Sequence, residues 1–243
     1  MPCNIHLEST TSTNNYLKEL LLKENIEEFT VVSTSLQTAG RGQQGNSWES
    51  EEGKNILFSM VVFPVSVPAN EQFIISQIVS LAVKDILNKY TDDITIKWPN
   101  DIYWKEKKIS GILIENNLME DHISQSVMGI GININQELFQ SNAPNPVSLK
   151  QITGKEYDKE IILHQIVEQL TSYFEKLKSK DTADIIHNYK QSLFRREGFH
   201  LYNDGKNDFK ARIKDIEPSG LLVLETEEGI RHHFAFKEVR YIL

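Results

Sequence analysis

Apolar and polar positions alternate along this chain with two different periods. Tyr16, Leu17, Leu20 and Leu21 recur at three- and four-residue spacing, which predicts a helix to about Lys23 that Ser12 or Thr13 can cap. TVVSTSLQ (30–37) is rich in β-branched residues and predicts a strand running into a glycine loop. NILFSMVVF (55–63) is almost wholly apolar and predicts a central strand that Pro64 and Pro68 terminate. A long helix is expected over 69–90, with Phe73, Ile74, Ile78, Leu81, Ala82 and Ile86 inward. Three strands follow, at ITIKW, IYW and ISGILIEN, the last two joined as a hairpin through KEKK, and SVMGIGININ (126–135) forms another. Tight turns between short strands favour antiparallel pairing. The stretch 136–153 has no period and two prolines and is expected to be a loop, while 158–177 and 182–196 predict helices.

After Gly198 the texture changes to five short alternating segments, FHLY, DFKARIKDIE, GLLVLET, IRHHFAF and VRYIL. They predict a small antiparallel β-barrel, with a boundary near residue 197. The fold class expected is therefore α/β (α+β): a mixed, largely antiparallel sheet with helices over 1–197, then a small β domain over 198–243.

Composition narrows the function classes. At 243 residues, 40% hydrophobic and 25% charged, the chain is an ordinary globular sequence. Its one cysteine, Cys3, excludes a disulfide framework and fits a reducing compartment. No apolar run approaches a membrane span and the first residues do not resemble a signal peptide, so the expectation is a cytoplasmic protein with no membrane partner. A net charge of −8 argues against DNA as a partner. An anionic ligand would need a local site that overcomes this field.

Three stretches carry candidate chemistry. In TAGRGQQGNSW (38–48), Arg41 stands between Gly40 and Gly42 directly after a strand, where glycines admit close backbone approach and the guanidinium can fork onto a carboxylate or phosphate. It lacks the GK[ST] of a Walker loop and the following helix of a Rossmann loop, and a plain surface turn is an equal alternative. In KWPNDIYWKEKKISGILIE (97–115), Pro99 extends Trp98 and puts Asn100 and Asp101 at a strand-to-strand corner. Alternation puts Lys108, Ser110 and Ile112 on one face of the next strand, and Gly111 leaves room for something to approach. Taken singly, Lys108 also reads as an exposed hairpin charge and Asn100–Asp101 as an Asx-type turn. In GIGININ (129–135), Gly131, Asn133 and Asn135 share a polar face that is either solvent-exposed or lines a polar pocket, and two asparagines in an otherwise apolar strand favour the pocket. His232 and His233 point to opposite faces of a strand, and no metal-ligand spacing occurs.

These three blocks in this order, with TSTNNYL (11–17) before them, resemble the biotin protein ligases. The resemblance covers most of the chain, because the strand-rich C-terminus is similar to the family's SH3-like domain. It implies a class II synthetase-like sheet and the ligase-only form, without the N-terminal winged helix of the repressor members. It implies that Ser12, Thr13, Asn14 and Gln37 bind the biotin head. Gly40, Arg41, Gly42 and Gln43 would close over biotin, with Lys108 meeting its carboxyl and Gly111 opening the floor. Arg41, Asn46, Trp48, Asn100, Asp101, Lys108, Ile132 and Asn133 would serve ATP. The catalytic set would be Lys108, Arg41 and Asp101, the last as base or electrostatic aid.

Biotin and ATP are then the substrates, Mg²⁺ the cofactor, and the partner a biotin carboxyl carrier protein or domain of a biotin-dependent carboxylase; a homodimer is compatible. Joining a carboxylate to the α-phosphate needs cations more than a base, because the carboxylate is already ionised at neutral pH. That matches a site of arginine, lysine, glycine and amides. The loop departs from the GRGRRGR pattern of well-known bacterial members at Gln43, Gln44 and Asn46, and an arginine at the first of these is associated with retaining the intermediate. A lipoate-protein ligase and a non-catalytic biotin- or nucleotide-binding module remain the alternatives.

Overall fold

A computed structural model describes residues 3–43, 46–140 and 145–242. Seven strands form one sheet in the order β1 (Asn4–Thr10), β2 (Val31–Gln37), β3 (Ile56–Val62), β7 (His122–Ile132), β6 (Lys107–Met119), β5 (Asp101–Trp104) and β4 (Ile94–Lys97). Only β1 and β2 are parallel, and α1 (Thr13–Lys23) connects them; every other neighbour is antiparallel. The short turns of the central region permit no other pairing.

The pleat gives this sheet two unlike faces. Met60, Val62, Met128, Ile130 and Ile132 point into the main core, which α2 (Phe73–Leu87), α4 (Lys159–Lys178) and α5 (Ala183–Gln191) cover. The intervening positions Val61 and Val127 point the other way and pack, with Val32, under Leu17 of α1. Because α1 is only 11 residues long, it covers part of that second face and leaves the glycine-rich ends of β6 and β7 open. In α2, burial extends almost all round, since it lies between the sheet and two other helices.

Several expectations need correction. The helix expected over 69–90 is a three-residue 3-10 turn (Ala69–Glu71) followed by α2, which ends at Leu87. Strand β1 was not expected; NIHLEST offers only Ile5 and Leu7 as apolar positions, which suits an edge strand. The loop expected over 136–153 contains a short helix, α3 (Leu149–Thr153), started by a capping box between Ser148 and Gln151, and part of it, 141–144, lies outside the described residues. By contrast, Ser12 occupies the N-cap position of α1 but makes no side-chain cap bond. No described helix is long and apolar enough to cross a membrane.

Five further strands, β8 (His200–Asn203), β9 (Asp208–Ile216), β10 (Leu222–Thr226), β11 (Arg231–Phe234) and β12 (Arg240–Tyr241), form a second, antiparallel sheet ordered β11–β10–β9–β8–β12. It is pinned to the first at the KWPND corner, where Trp98 Nε1 donates to the Gly220 carbonyl at 3.0 Å and Phe236 packs edge-on against the Trp98 ring. Gly220 has a φ of +92°, and a Cβ there would come 2.6 Å from Phe73 Cδ2. Gly220→Ala should therefore destabilise the protein by about 2 kcal/mol through backbone strain and crowding. Calorimetry would register this as a thermal midpoint lowered by roughly 4–8 °C; an unchanged midpoint would refute the crowding at this junction.

Candidate functional site

Glycines build the floor of the site. Gly111 on β6 and Gly131 on β7 are direct cross-strand partners on the face that α1 leaves open. The Trp48 ring lies flat against both, so that a Cβ at Gly131 would come 2.5 Å from Trp48 Cε2 and one at Gly111 2.7 Å from Trp48 Cζ3. Gly129, one pleat further along β7, makes room for the side-chain amide of Asn14 in the same way. Trp48 reaches this floor from the loop after β2, which folds back on itself: Arg41 bridges to Ser47, Trp48 N–H donates to the Gly40 carbonyl at 2.9 Å, and Gly42 N–H to the Asn46 carbonyl at 2.7 Å. The space between loop and floor amounts to about 690 Å³ when its open mouth is included.

One end of the cavity is neutral and rich in amides and hydroxyls. Gln37 Oε1 accepts from Thr13 N–H at 2.9 Å and from Thr13 Oγ1 at 3.1 Å. Buried Ser59 places its Oγ 2.7 Å from Thr13 Oγ1 and 2.5 Å from Asn14 Oδ1. Ser12 lines the cavity beside them. The start of α1 supplies three of these residues because Ser12, Thr13 and Asn14 sit on its first turn, directly over the pleat of β3 and β7.

Two cations also line the cavity, and each is already paired. Lys108 Nζ lies 2.7 Å from Asp101 Oδ1 and 5.9 Å from the centre of the Trp48 ring. Arg41 donates from Nη2 to Glu115 Oε1 at 2.9 Å and from Nη1 to Asn15 Oδ1 at 2.5 Å. Glu115 also accepts from Lys18 Nζ and Asn14 Nδ2, each at 2.9 Å. Burial alone would raise the Glu115 carboxyl, but the bonds from Asn14, Lys18 and Arg41, with the charge of Lys18, outweigh it and hold the group below its usual range. Lys97, in the same KWPND corner, is pushed down by burial, which the charge of Asp101 partly offsets. Its ammonium packs against the Tyr103 and Tyr241 rings.

The structure brings Ser12, Thr13, Asn14, Gln37, Arg41, Gly42, Gln43, Asn46, Trp48, Asp101, Lys108 and Gly111 to the walls of this one cavity. Gly40 stands behind Trp48, whose carbonyl oxygen a Cβ there would approach to 2.5 Å. Asn100 lies just outside, in a groove continuous with the cavity, where it accepts from Gln43 Nε2 at 3.1 Å. Gln44 lies outside the described residues.

Other expected positions are elsewhere. Ile132 is fully buried on the core face, because its parity along β7 is that of Ile130 and not of Gly131. Asn133 and Asn135 lie beyond the end of β7 and tie down the following segment, Asn133 donating to the Val147 carbonyl and Asn135 bonding twice to the Tyr157 backbone. Asn133 Oδ1 is buried without a partner among the described residues. Lys108 does not share a face with Ser110 and Ile112: a bulge in β6 pairs Lys108 with Tyr103 and Ser110 with Ile102, which turns the lysine to the Gly111 side.

Sequence reasoning missed Asn15, Lys18, Ser59, Glu115 and Phe236. Glu115 and Lys18 were findable: the first ends the KISGILIE block, and the second lies one helical turn from Asn14. Phe236 comes to the cavity from the second sheet and gave no local signal. No cluster of three His, Cys, Asp or Glu that could hold a metal occurs among the described residues.

Residues 6–133, more than half of the chain, match the biotin/lipoate A/B protein ligase family. The chain belongs to that family. Among curated relatives of this ligase family, the bifunctional ligase/repressor BirA of Bacillus spizizenii is 31% identical over 93% of this chain and 70% of its own length. The biotin–[acetyl-CoA-carboxylase] ligase of Paracoccus denitrificans is 26% identical over 92% of this chain and 94% of its own. Among solved structures, the biotin protein ligase of Aquifex aeolicus in complex with biotin and ATP superposes over the whole of both chains, with a TM-score of 0.81 and 26% identity.

For this ligase-family cavity, the glycine floor makes a prediction that needs no ligand. Gly131→Ala should expel the Trp48 indole, whose Nε1 is otherwise buried. Acrylamide quenching of tryptophan emission should rise and the spectrum shift red. Unchanged quenching would mean that the ring is not held by the floor.

Proposed function

We propose that the protein is an ATP-dependent biotin–protein ligase. The observation that carries this reading is the single cavity that brings neutral amides and hydroxyls together with two cations. A ureido ring offers two N–H donors and a carbonyl, which the hydroxyls and amides of Thr13, Asn14 and Gln37 complement. A carboxylate on the same ligand would meet the cations that line the cavity, Lys108 and Arg41. The named biotin ligases among its relatives favour biotin over lipoate.

In the first step a biotin carboxylate oxygen attacks the α-phosphorus of ATP. A P–O bond forms to give biotinyl-5′-AMP, and the bond to the β-phosphate oxygen breaks so that pyrophosphate leaves with the electron pair. Arg41 and Lys108 hold the two anions together and neutralise charge growing on the phosphate oxygens. The pairs with Glu115 and Asp101 hold both side chains in place before substrate arrives. In the second step a lysine amine of a carboxylase carrier domain attacks the acyl carbon and AMP leaves. The amine must first lose its proton, and Asp101 is the carboxylate nearest to take it or to favour its loss.

Mg²⁺ would enter with ATP. Asp101 offers it one carboxylate and the phosphates and water the remaining oxygens, a donor set that suits this ion; the ion would add positive charge at the phosphates. We further assign residues 1–197 to a biotin- and ATP-binding domain and 198–243 to an SH3-like domain, in a protein of the cytoplasm.

Biotin-dependent exchange of labelled pyrophosphate into ATP tests the reading; exchange driven by lipoate and not biotin would overturn it. Lys108→Ala should lower the exchange rate at least about a hundredfold, the usual cost of removing a group aimed at developing charge; exchange at the wild-type rate would remove Lys108 from the mechanism. Gln43 adds a hydrogen bond to Asn100 but no charge. Gln43→Arg should therefore slow escape of the adenylate, seen as less biotin on bystander lysines of an added protein. An unaltered level of bystander labelling would refute that role.

A further inference from the structure

We infer that Glu115 is a positioning residue, the fixed anchor that sets the lid arginine in place and ties it to the biotin-head residue Asn14. The inference rests on the biotin–ligase reading of the site and deepens it. It starts from the carboxylate's partners: Arg41 Nη2 and Lys18 Nζ on Oε1, and Asn14 Nδ2 on Oε2. These come from two separate elements, the loop after β2 and one face of α1, on which Asn14 and Lys18 lie a turn apart. Glu115 itself sits within the 13-residue strand β6, where it is paired with Val127 of β7, so it is the rigid member of the group. Arg41, by contrast, is about two-fifths exposed on a loop flanked by glycines.

An arginine side chain on such a loop has many rotamers, and holding it where an anion will arrive must come from other groups. Glu115 and Asn15 together occupy two of its five N–H donors. The remaining three make no hydrogen bond among the described residues, and Arg41 lines the cavity. Asn14 is fixed by the same carboxylate and by Ser59, so head recognition and lid position share one anchor. Glu115 touches no cavity ligand in this scheme; it acts through Arg41.

The test uses the full-length protein and synthetic biotinyl-5′-AMP, whose release rate is measured without any turnover. Glutamine at this position keeps an acceptor for Asn14 and loses the charge that holds Arg41. Glu115→Gln should speed biotinyl-AMP release about tenfold, as expected when one partner of a hydrogen-bonded charge pair is removed. It should leave release of free biotin within about twofold of wild type. Arg41→Ala should speed biotinyl-AMP release as well, and the double variant should release no faster than Arg41→Ala alone, because the two act as one unit.

Multiplying effects in the double variant, or an equal acceleration of biotin release, would overturn the inference, since Glu115 would then act on the pocket as a whole. Release at the wild-type rate from Glu115→Gln would also overturn it. Should that variant not fold, Asn15→Ala takes its place in the same cycle, with the same outcomes deciding. Wild-type protein that fails to bind biotinyl-AMP would instead sink the biotin–ligase reading, which keeps the two failures apart.

Discussion

Everything in this molecule depends on a sheet whose two faces must do different things. The period of two along each strand sends alternate residues to a dry core and to an open cavity. Ile130 and Ile132 are core, and Gly129 and Gly131, which alternate with them, are floor. The same division runs through β3, where Met60 packs under α2's side and Ser59 serves the site. Small residues on one parity let an indole and an amide approach the backbone, while branched residues on the other parity keep the sheet rigid beneath them. The short helix α1 completes the arrangement by covering only the part of the open face that needs hydrophobic closure.

Charge is handled locally. The whole chain carries −8, yet its cavity must favour anions. It does so with two cations, each held by a carboxylate and each partly shielded from water. Such pairs contribute little to stability where solvent reaches them. Their value lies in fixing the direction of a guanidinium and an ammonium before a substrate arrives, so that less is lost in ordering them later. The conformational freedom of the glycine loop is thereby confined to the backbone.

Legibility followed this physics. The central strands and the β5–β6 hairpin could be read from alternation and turn residues, and the C-terminal β segments from their regular punctuation. The parallel edge strand β1 could not, because half of it faces solvent and only Ile5 and Leu7 carry a pattern. The cavity residues that were recognised lie in blocks where unusual residue types recur together. Lys108 was placed on the wrong face because one bulged residue inverts parity, and nothing local announces a bulge there. Asn133 and Asn135 were given to the strand because the alternation continues past its last hydrogen bond, into a segment where amides tie backbone instead. Glu115 stood in plain view within a recognised block, but the partners that explain it come from nearly a hundred residues earlier in the chain.

Phe236 lets the second sheet take part in what the first sheet binds. It reaches the cavity wall while packing on Trp98, whose indole N–H is bonded to Gly220. Any molecule that gains contact with that ring favours the docked arrangement of the two sheets over an undocked one by the difference in its affinity for the two. Occupancy of the cavity and closure of the sheet-to-sheet junction are therefore thermodynamically linked. By reciprocity, whatever loosens the junction weakens the ligand by the same factor. Residues of the second sheet that never touch a ligand thereby acquire a stake in how tightly the cavity holds it.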